Sequence, residues 1–181
     1  FESKISLQCF NTKFDAPDSK LLLEAATEQE LVESLKQTSG RVISSKTDNF
    51  LISPSTFGDQ LNDKRQRSRE LSNVKSAWGI WIDVDGGEMT PEEFKNILPE
   101  LRMIIFNTYS GEGRYRVVIP TNLFMSASAY KDIQKSILAT IERSDAKFTS
   151  SEKLRDGYRL HGVDKSKMNA ASLFYAPSQA K

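Results

Sequence analysis

Residues 78–87 read Trp-Gly-Ile-Trp-Ile-Asp-Val-Asp-Gly-Gly, and this segment carries the clearest structural pattern in the chain. Apolar residues at positions 80, 82 and 84 alternate with Trp81, Asp83 and Asp85, and this period of two predicts a β-strand. Residues two apart on a strand face the same side, so Asp83 and Asp85 are expected to leave one face of a sheet together. The two glycines that follow permit a sharp turn.

Two neighbouring carboxylates favour the binding of a cation, because like charges repel each other unless a positive charge lies between them. Hard oxygen ligands of this kind suit Mg²⁺ or Mn²⁺, which proteins usually share with substrate phosphates. The alternative interpretation of Asp83-Val-Asp85-Gly86 is a polar turn that simply ends the strand. The motif by itself does not decide between the two, so the rest of the chain has to be considered.

The composition is that of one globular domain, and we expect a single domain over residues 1–181. The chain is 38% apolar and 27% charged, and its net charge of +1 excludes a global basic field. One cysteine, Cys9, rules out an intrachain disulfide and fits a reducing, cytoplasmic location, and one Cys with one His argues against zinc. No signal peptide and no apolar stretch of membrane-spanning length are visible, so no membrane association is expected.

Local patterns predict an α+β domain with a largely antiparallel sheet and flanking helices. Two predicted capping boxes, Thr27-Glu-Gln-Glu30 and Thr90-Pro-Glu-Glu93, mark helix starts. Helices are predicted at 27–37, 57–71, 90–98 and 126–143, and strands at 4–10, 41–44, 49–52, 80–85, 102–107, 114–119, 158–161 and 173–175. We expect an N-terminal α/β part over residues 1–52 and a core over residues 53–178 that bears the motifs.

A second candidate element is Ser110-Gly-Glu-Gly-Arg-Tyr-Arg-Val-Val-Ile-Pro120, a glycine-rich turn followed by an alternating strand. Arg114 and Arg116 are expected on one face of that strand, where two guanidinium groups suit phosphate oxygens. Their place just after the acidic strand favours a triphosphate. The alternative is a solvated or salt-bridged sheet face.

A third candidate element is Leu160-His-Gly-Val-Asp-Lys-Ser-Lys-Met-Asn169. Asp164 is a candidate third carboxylate for the metal, and Lys165 and Lys167 are candidates for contact with phosphate or a template strand. The alternative is a solvated loop. His161 is the single histidine of the chain, and an isolated histidine is more often structural than catalytic.

These three elements, in this order, resemble the archaeo-eukaryotic primase (primase-polymerase) superfamily, in particular its plasmid and phage versions. The resemblance covers residues 53–178. It rests on three segments, Ile82-Asp-Val-Asp-Gly86, Thr108-Tyr-Ser110 with Arg114-Tyr-Arg-Val-Val-Ile-Pro120, and Gly162-Val-Asp164 with Asn169-Ala-Ala-Ser-Leu-Phe-Tyr-Ala-Pro177.

The resemblance implies an RRM-like sheet and a metal-dependent nucleotidyl transfer on single-stranded DNA by a plasmid or phage replication protein. Asp83, Asp85 and Asp164 would hold two Mg²⁺ or Mn²⁺ ions, and loss of Asp83 or Asp85 should abolish nucleotide addition with the fold intact. Nucleoside triphosphates and a replicative helicase, in cis or in trans, are the further expected partners. Nucleotide contacts are expected from Ser110, Arg114, Arg116 and His161, and template contacts from Lys64, Arg65, Arg67, Arg69, Lys165 and Lys167.

The chain departs from the family in its second motif, which usually contains a histidine. Tyr115 or Arg116 stands at the equivalent place, and arginine can contact phosphate but cannot donate a proton near neutral pH. A primase-like DNA-binding module without catalysis is therefore one alternative, and a metal-dependent nuclease is another. A solvated helix face remains the alternative for the basic cluster at 64–69.

Overall fold

The fold is given by a computed structural model that describes residues 4–111, 113–144 and 161–181. It has the expected α+β architecture, and every strand pair except β3 with β11 is antiparallel. In chain order the elements are β1 (Ile5–Phe10), β2 (Leu22–Ala25), α1 (Glu28–Ser39), β3 (Val42–Ile43), β4 (Leu51–Ser53), β5 (Ser55–Phe57), β6 (Val74–Ala77), β7 (Ile80–Asp85), α2 (Pro91–Ile97), β8 (Ile104–Asn107), β9 (Arg114–Ile119), α3 (Ala127–Ser144), β10 (Phe174–Tyr175) and β11 (Gln179–Ala180).

The central sheet has the order β7-β9-β8, with β9 in the middle. Residues 162–164 extend this sheet on the free side of β7, where Val163 forms an antiparallel bridge with Val84. The chain thus runs β7-α2-β8-β9-α3 and returns through residues 162–164, and the spatial order is fourth, first, third, second. This path is that of a split β-α-β sheet, and it agrees with the RRM-like sheet expected from the sequence.

The alternation of residues along β7 and β9 gives the central sheet two different faces. One face carries Ile82, Val84 and Val117, which are buried under α2 and α3. On the opposite face, Trp81 and Val118 are buried against a second sheet, of order β10-β4-β1-β2. This second sheet covers only part of that face, so the end of β7 that carries Asp83 and Asp85 lies at its edge.

Side-chain caps explain why the helices begin where they do. Thr90 and Glu93 form the predicted capping box of α2, with Pro91 in the first turn. Thr27 caps α1 by accepting the N–H of Glu30, but the Glu30 carboxylate accepts the N–H of Ala26, so that box is incomplete. No helix among the described residues is long and apolar enough to cross a membrane.

The predicted helix over residues 57–71 is wrong. Strands β5 and β6 form an antiparallel pair, and residues 58–70 connect them without a helix. The Asn62 side chain accepts the backbone N–H groups of Lys64 and Gln66, and the Asn73 amide donates to three carbonyls of the connection. These side chains provide the backbone with partners that compete with helical hydrogen bonds.

Two further sequence predictions need comment. Strands β2, β5, β6 and β11 have no counterpart among the predicted strands. The strand predicted at 158–161 falls on residues 158–160, which lie outside the described residues, and on His161, which is not in a strand. The other predicted strands and helices are present, with ends shifted by a few residues.

Candidate acidic site on the central sheet

The three aspartates predicted as a group lie on one face of the central sheet. In the register of β7 and β9, Asp83 is opposite Arg116 and Asp85 is opposite Arg114. The N–H of Asp164 donates to the carbonyl of Asp83 at 2.8 Å, so Asp164 is opposite Asp83 on its other side. Because paired residues on antiparallel strands face the same side, all five side chains belong to the face away from α2 and α3.

Asp83 and Arg116 form a buried ion pair at the inner end of this face. Nε and Nη2 of Arg116 lie 3.1 and 2.8 Å from the same oxygen, Oδ1 of Asp83. The two side chains are only 6% and 14% exposed, for Arg116 and Asp83 respectively. The charges are therefore largely removed from water. In such surroundings the attraction between the two charges is strong, and an unpaired charge is costly.

The rest of the Arg116 guanidinium is also occupied. Nη1 donates to the carbonyl of Tyr175, and the group lies 4.9 Å from the ring centre of Phe174 and 5.8 Å from that of Phe106. Burial lowers the pKa of Arg116 from its ordinary value, and the charge of Asp83 acts in the opposite direction. Sequence reasoning missed these neighbours, because the pairing of Phe106 with Arg116 depends on the register between β8 and β9.

Asp85 and Arg114 form a second ion pair, at the open end of the face. Nε of Arg114 lies 3.1 Å from Oδ1 of Asp85, and the side chains are 45% and 52% exposed, for Arg114 and Asp85 respectively. Arg114 follows directly on the turn that contains Gly111 and Gly113, both with positive φ. This pair is thus accessible to a ligand, unlike the pair formed by Asp83 and Arg116.

Asp164 stabilises the turn that follows it. Its Oδ1 accepts the backbone N–H and the hydroxyl of Ser166, at 2.9 and 2.7 Å, and thereby caps the short 3₁₀ turn Lys165–Lys167. His161, three residues earlier, is fully buried. Its Nδ1 accepts the N–H of Val163 at 3.0 Å, so it supports the segment that carries Asp164.

The donor chemistry of this face suits Mg²⁺ or Mn²⁺, since three carboxylates from neighbouring strands lie on it. However, within the described part of the chain no group of three His, Cys, Asp or Glu side chains is close enough to hold a metal ion. Arginines occupy Oδ1 of Asp83 and Oδ1 of Asp85, so the present arrangement is an ion-paired sheet face. The described residues donate no hydrogen bond to Oδ2 of Asp83, which remains a possible ligand oxygen.

The basic residues predicted to contact a template divide into two groups. Lys64 and Arg65 are exposed in the β5–β6 connection, and Arg67 pairs with Asp59 there. Lys165 pairs with Glu142 at 3.1 Å. Arg69 and Lys167, by contrast, line one groove beside the acidic face.

This groove, here called the Phe14 groove, encloses about 530 Å³. Its lining includes Lys13, Phe14, Arg69, Lys167, Leu173 and Tyr175, and none of the described residues that line it has a carboxylate side chain. The Tyr175 carbonyl holds Arg116, and Ser166 both lines the groove and bonds to Asp164, so the groove adjoins the acidic site. Lys13 and Phe14 were missed from the sequence, where an aromatic residue in the polar stretch 11–20 was the available signal.

Comparison with known proteins gives one structural likeness. No family model matches the chain, and no curated protein matches it. Among solved structures, the polymerase domain from Mycobacterium tuberculosis Ligase D in complex with DNA is similar over 97% of this chain, with a TM-score of 0.49 and 14% sequence identity. The chain spans 57% of the length of that structure.

Proposed function

We propose that this chain is a primase-polymerase domain that transfers nucleotides onto a chain paired with a single-stranded DNA template, in a plasmid or phage replication protein. One observation carries the proposal: Asp83, Asp85 and Asp164, from distant parts of the chain, lie on one open sheet face with Arg114 in register. Motifs that resemble the primase-polymerase superfamily occupy the same positions. A replicative helicase, in cis or in trans, is the expected partner protein.

The roles in this mechanism follow from accessibility. Arg114 is exposed and suits the oxygens of a triphosphate, with Ser110 in the turn that precedes it. Asp83 through Oδ2, together with Asp85 and Asp164, would hold Mg²⁺ or Mn²⁺. Such an ion lowers the pKa of an attacking hydroxyl and neutralises developing phosphate charge. Arg116 and His161 are buried, and their part is to support the acidic strands.

Asp85→Asn is expected to reduce primer synthesis at least about a hundredfold, because it removes an exposed ligand charge without disturbing the buried ion pair. Products made on single-stranded circular DNA with labelled nucleotides and Mn²⁺ would be resolved on a denaturing gel. Asp132→Asn, an exposed position on α3, is the matched control and should keep wild-type activity. Equal activity of the two variants would contradict the proposal.

The Phe14 groove supports a single-stranded template as the partner. It combines three cationic side chains with Phe14, whose side chain is 83% exposed, and with Tyr175, whose ring lies 5.1 Å from Nζ of Lys46. Exposed aromatic rings beside cations are the usual means of holding unpaired bases and their phosphates. Duplex DNA would offer its bases no access to such rings.

Phe14→Ala is expected to weaken binding of a single-stranded oligonucleotide about fivefold or more, since base stacking on an aromatic side chain contributes about 1–3 kcal/mol. Fluorescence anisotropy with a labelled thymidine oligomer at one fixed salt concentration measures the change. Leu123→Ala is the control, because Leu123 is 76% exposed and does not line this groove. If both variants bind equally well, Phe14 does not contact the strand.

A primase-like DNA-binding module without catalysis is the second candidate. The observation that favours it is the occupation of Asp83 and Asp85 by arginines, together with the missing histidine of the second motif. In the primer assay this module would bind the oligonucleotide but make no product with any variant. A nuclease, the third interpretation, would cleave labelled DNA with Mn²⁺ in the absence of nucleotides.

A further inference from the structure

Arg114 and Arg116 lie on the same face of β9, but their surroundings differ. We infer that Arg116 is a fixed residue that positions Asp83, whereas Arg114 is an exchangeable counter-ion of Asp85. A bound triphosphate draws Arg114 away from Asp85, so that the triphosphate and a divalent cation bind cooperatively. This inference rests on the proposed function. It assigns different roles to two side chains that the sequence makes equivalent.

Arg116 is fixed because each of its three guanidinium nitrogens has a hydrogen-bond acceptor. Two nitrogens contact Oδ1 of Asp83, the third donates to the Tyr175 carbonyl, and two aromatic rings flank the group. Moving this side chain to a ligand would break all these contacts at a site that is 6% exposed. A nucleotide therefore has no route to Arg116 that leaves the sheet intact.

The contact with Arg116 also orients Asp83. Both nitrogens bind Oδ1, and the described residues leave Oδ2 without a donor. A carboxylate held by one oxygen presents the other in a defined direction. Arg116 can thus stay in place while Oδ2 of Asp83 accepts a cation, and its effect on ligands is indirect.

Arg114 is exchangeable because its ion pair is exposed. Nε of Arg114 lies 3.1 Å from Oδ1 of Asp85, and about half of each side chain is in solvent. Exposed ion pairs of this kind are weak, because water screens the two charges. A triphosphate offers Arg114 more negative charge and a matching pair of oxygens, so exchange from carboxylate to phosphate is favourable.

The exchange links the two ligands. In the free protein Arg114 and a divalent cation compete for Asp85, because both are positive and the carboxylate is the same. Once phosphates bind Arg114, Asp85 is available to the cation. Each ligand therefore raises the affinity of the other, as thermodynamic linkage requires.

Direct binding measurements on the free protein test the two roles without reference to activity. Mn²⁺ binding is measured by the loss of the free-ion electron paramagnetic resonance signal, and inorganic tripolyphosphate binding by calorimetry with EDTA present. Arg114→Gln should bind Mn²⁺ about two- to fivefold more tightly, the equivalent of an exposed ion pair, and tripolyphosphate more weakly. Arg102→Gln is the matched control, because Arg102 is an exposed arginine paired with Glu28 outside the site; neither affinity should change.

Arg116→Lys should show a different pattern, with Mn²⁺ bound several-fold more weakly and tripolyphosphate unchanged. A lysine keeps the charge but cannot bind both Asp83 and the Tyr175 carbonyl in the same geometry. If Arg116→Lys does not fold, as judged by circular dichroism, Phe174→Leu loosens the ring over Arg116 and should give the same pattern more weakly. A loss of tripolyphosphate binding in either variant would overturn the positioning role.

The outcomes also separate this inference from the proposed function. If the wild-type protein binds Mn²⁺ and tripolyphosphate but Arg114→Gln gains no Mn²⁺ affinity, the exchange is wrong and the proposed function stands. If the wild type and every variant bind neither ligand, the proposed site itself is wrong and the exchange falls with it. Opposite shifts of the two affinities in Arg114→Gln, absent in Arg102→Gln, would support the exchange.

Discussion

Asp83→Ala is expected to lower the free energy of unfolding by about 3–5 kcal/mol, the usual cost of removing one partner of a buried ion pair. Arg116 would remain buried between Phe106 and Phe174 with no negative charge beside it. The sequence alone suggested that loss of Asp83 would spare the fold. The geometry of Arg116 reverses that expectation, since Asp83 is both a candidate ligand and a structural counter-ion.

Urea unfolding followed by circular dichroism measures this effect. Asp85→Ala is the control, because it breaks an exposed pair and should change stability by less than about 1 kcal/mol. The double variant Asp83→Ala, Arg116→Met should recover part of the loss, as the buried charge is then removed as well. Equal unfolding midpoints for the Asp83 and Asp85 variants would show that the buried charge of Arg116 does not need Asp83 as its counter-ion.

Gly162→Ala is expected to destabilise the protein by more than about 3 kcal/mol, because a side chain at this position has no room and an unfavourable backbone. A Cβ on Gly162 would lie 1.6 Å from the carbonyl oxygen of Gly86, and φ at Gly162 is +69°. The obstacle is backbone, so no side-chain rotation relieves it. Residues 162–164 would have to leave β7, and Asp164 would move away from Asp83.

Gly111→Ala separates the steric clash from the unfavourable backbone conformation. Gly111 also has a positive φ, +73°, but among the described residues beyond its chain neighbours a Cβ there would meet no heavy atom within 4 Å. It should therefore lose only about 1–2 kcal/mol, the cost of the left-handed conformation. Thermal unfolding of both variants gives the comparison. Similar losses would mean that residues 162–164 do not pack against the Gly86 turn.

These two stability predictions define which variants can test catalysis. Substitution at Asp83 or Gly162 affects the fold first, so a loss of activity there says little about chemistry. Asp85 and Arg114 lie on the exposed end of the face, where a change alters charge with little structural cost. Mutational evidence for or against nucleotidyl transfer is therefore best sought at these two positions.

The helix predicted over residues 57–71 shows where local reasoning failed. The stretch is polar and contains residues compatible with a helix, but Asn62 and Asn73 provide side-chain partners for a folded-back connection. The contact that holds Asn73 to Gly58 and Gln60 joins positions more than ten residues apart. Such a contact has no periodic signal in the sequence.

Local periodicity by itself determined the strands that carry the site and the face on which each side chain lies. Alternation along each strand placed Asp83 and Asp85 on one face of β7, and Arg114 and Arg116 on one face of β9, because a strand has a repeat of two. Tertiary structure alone decided which arginine meets which aspartate, and which pair is buried. Those outcomes depend on the register between β7 and β9, and on β10 carrying Phe174 and Tyr175 over Arg116. Register and coverage join residues that are distant in the chain, and a local repeat contains no information about them.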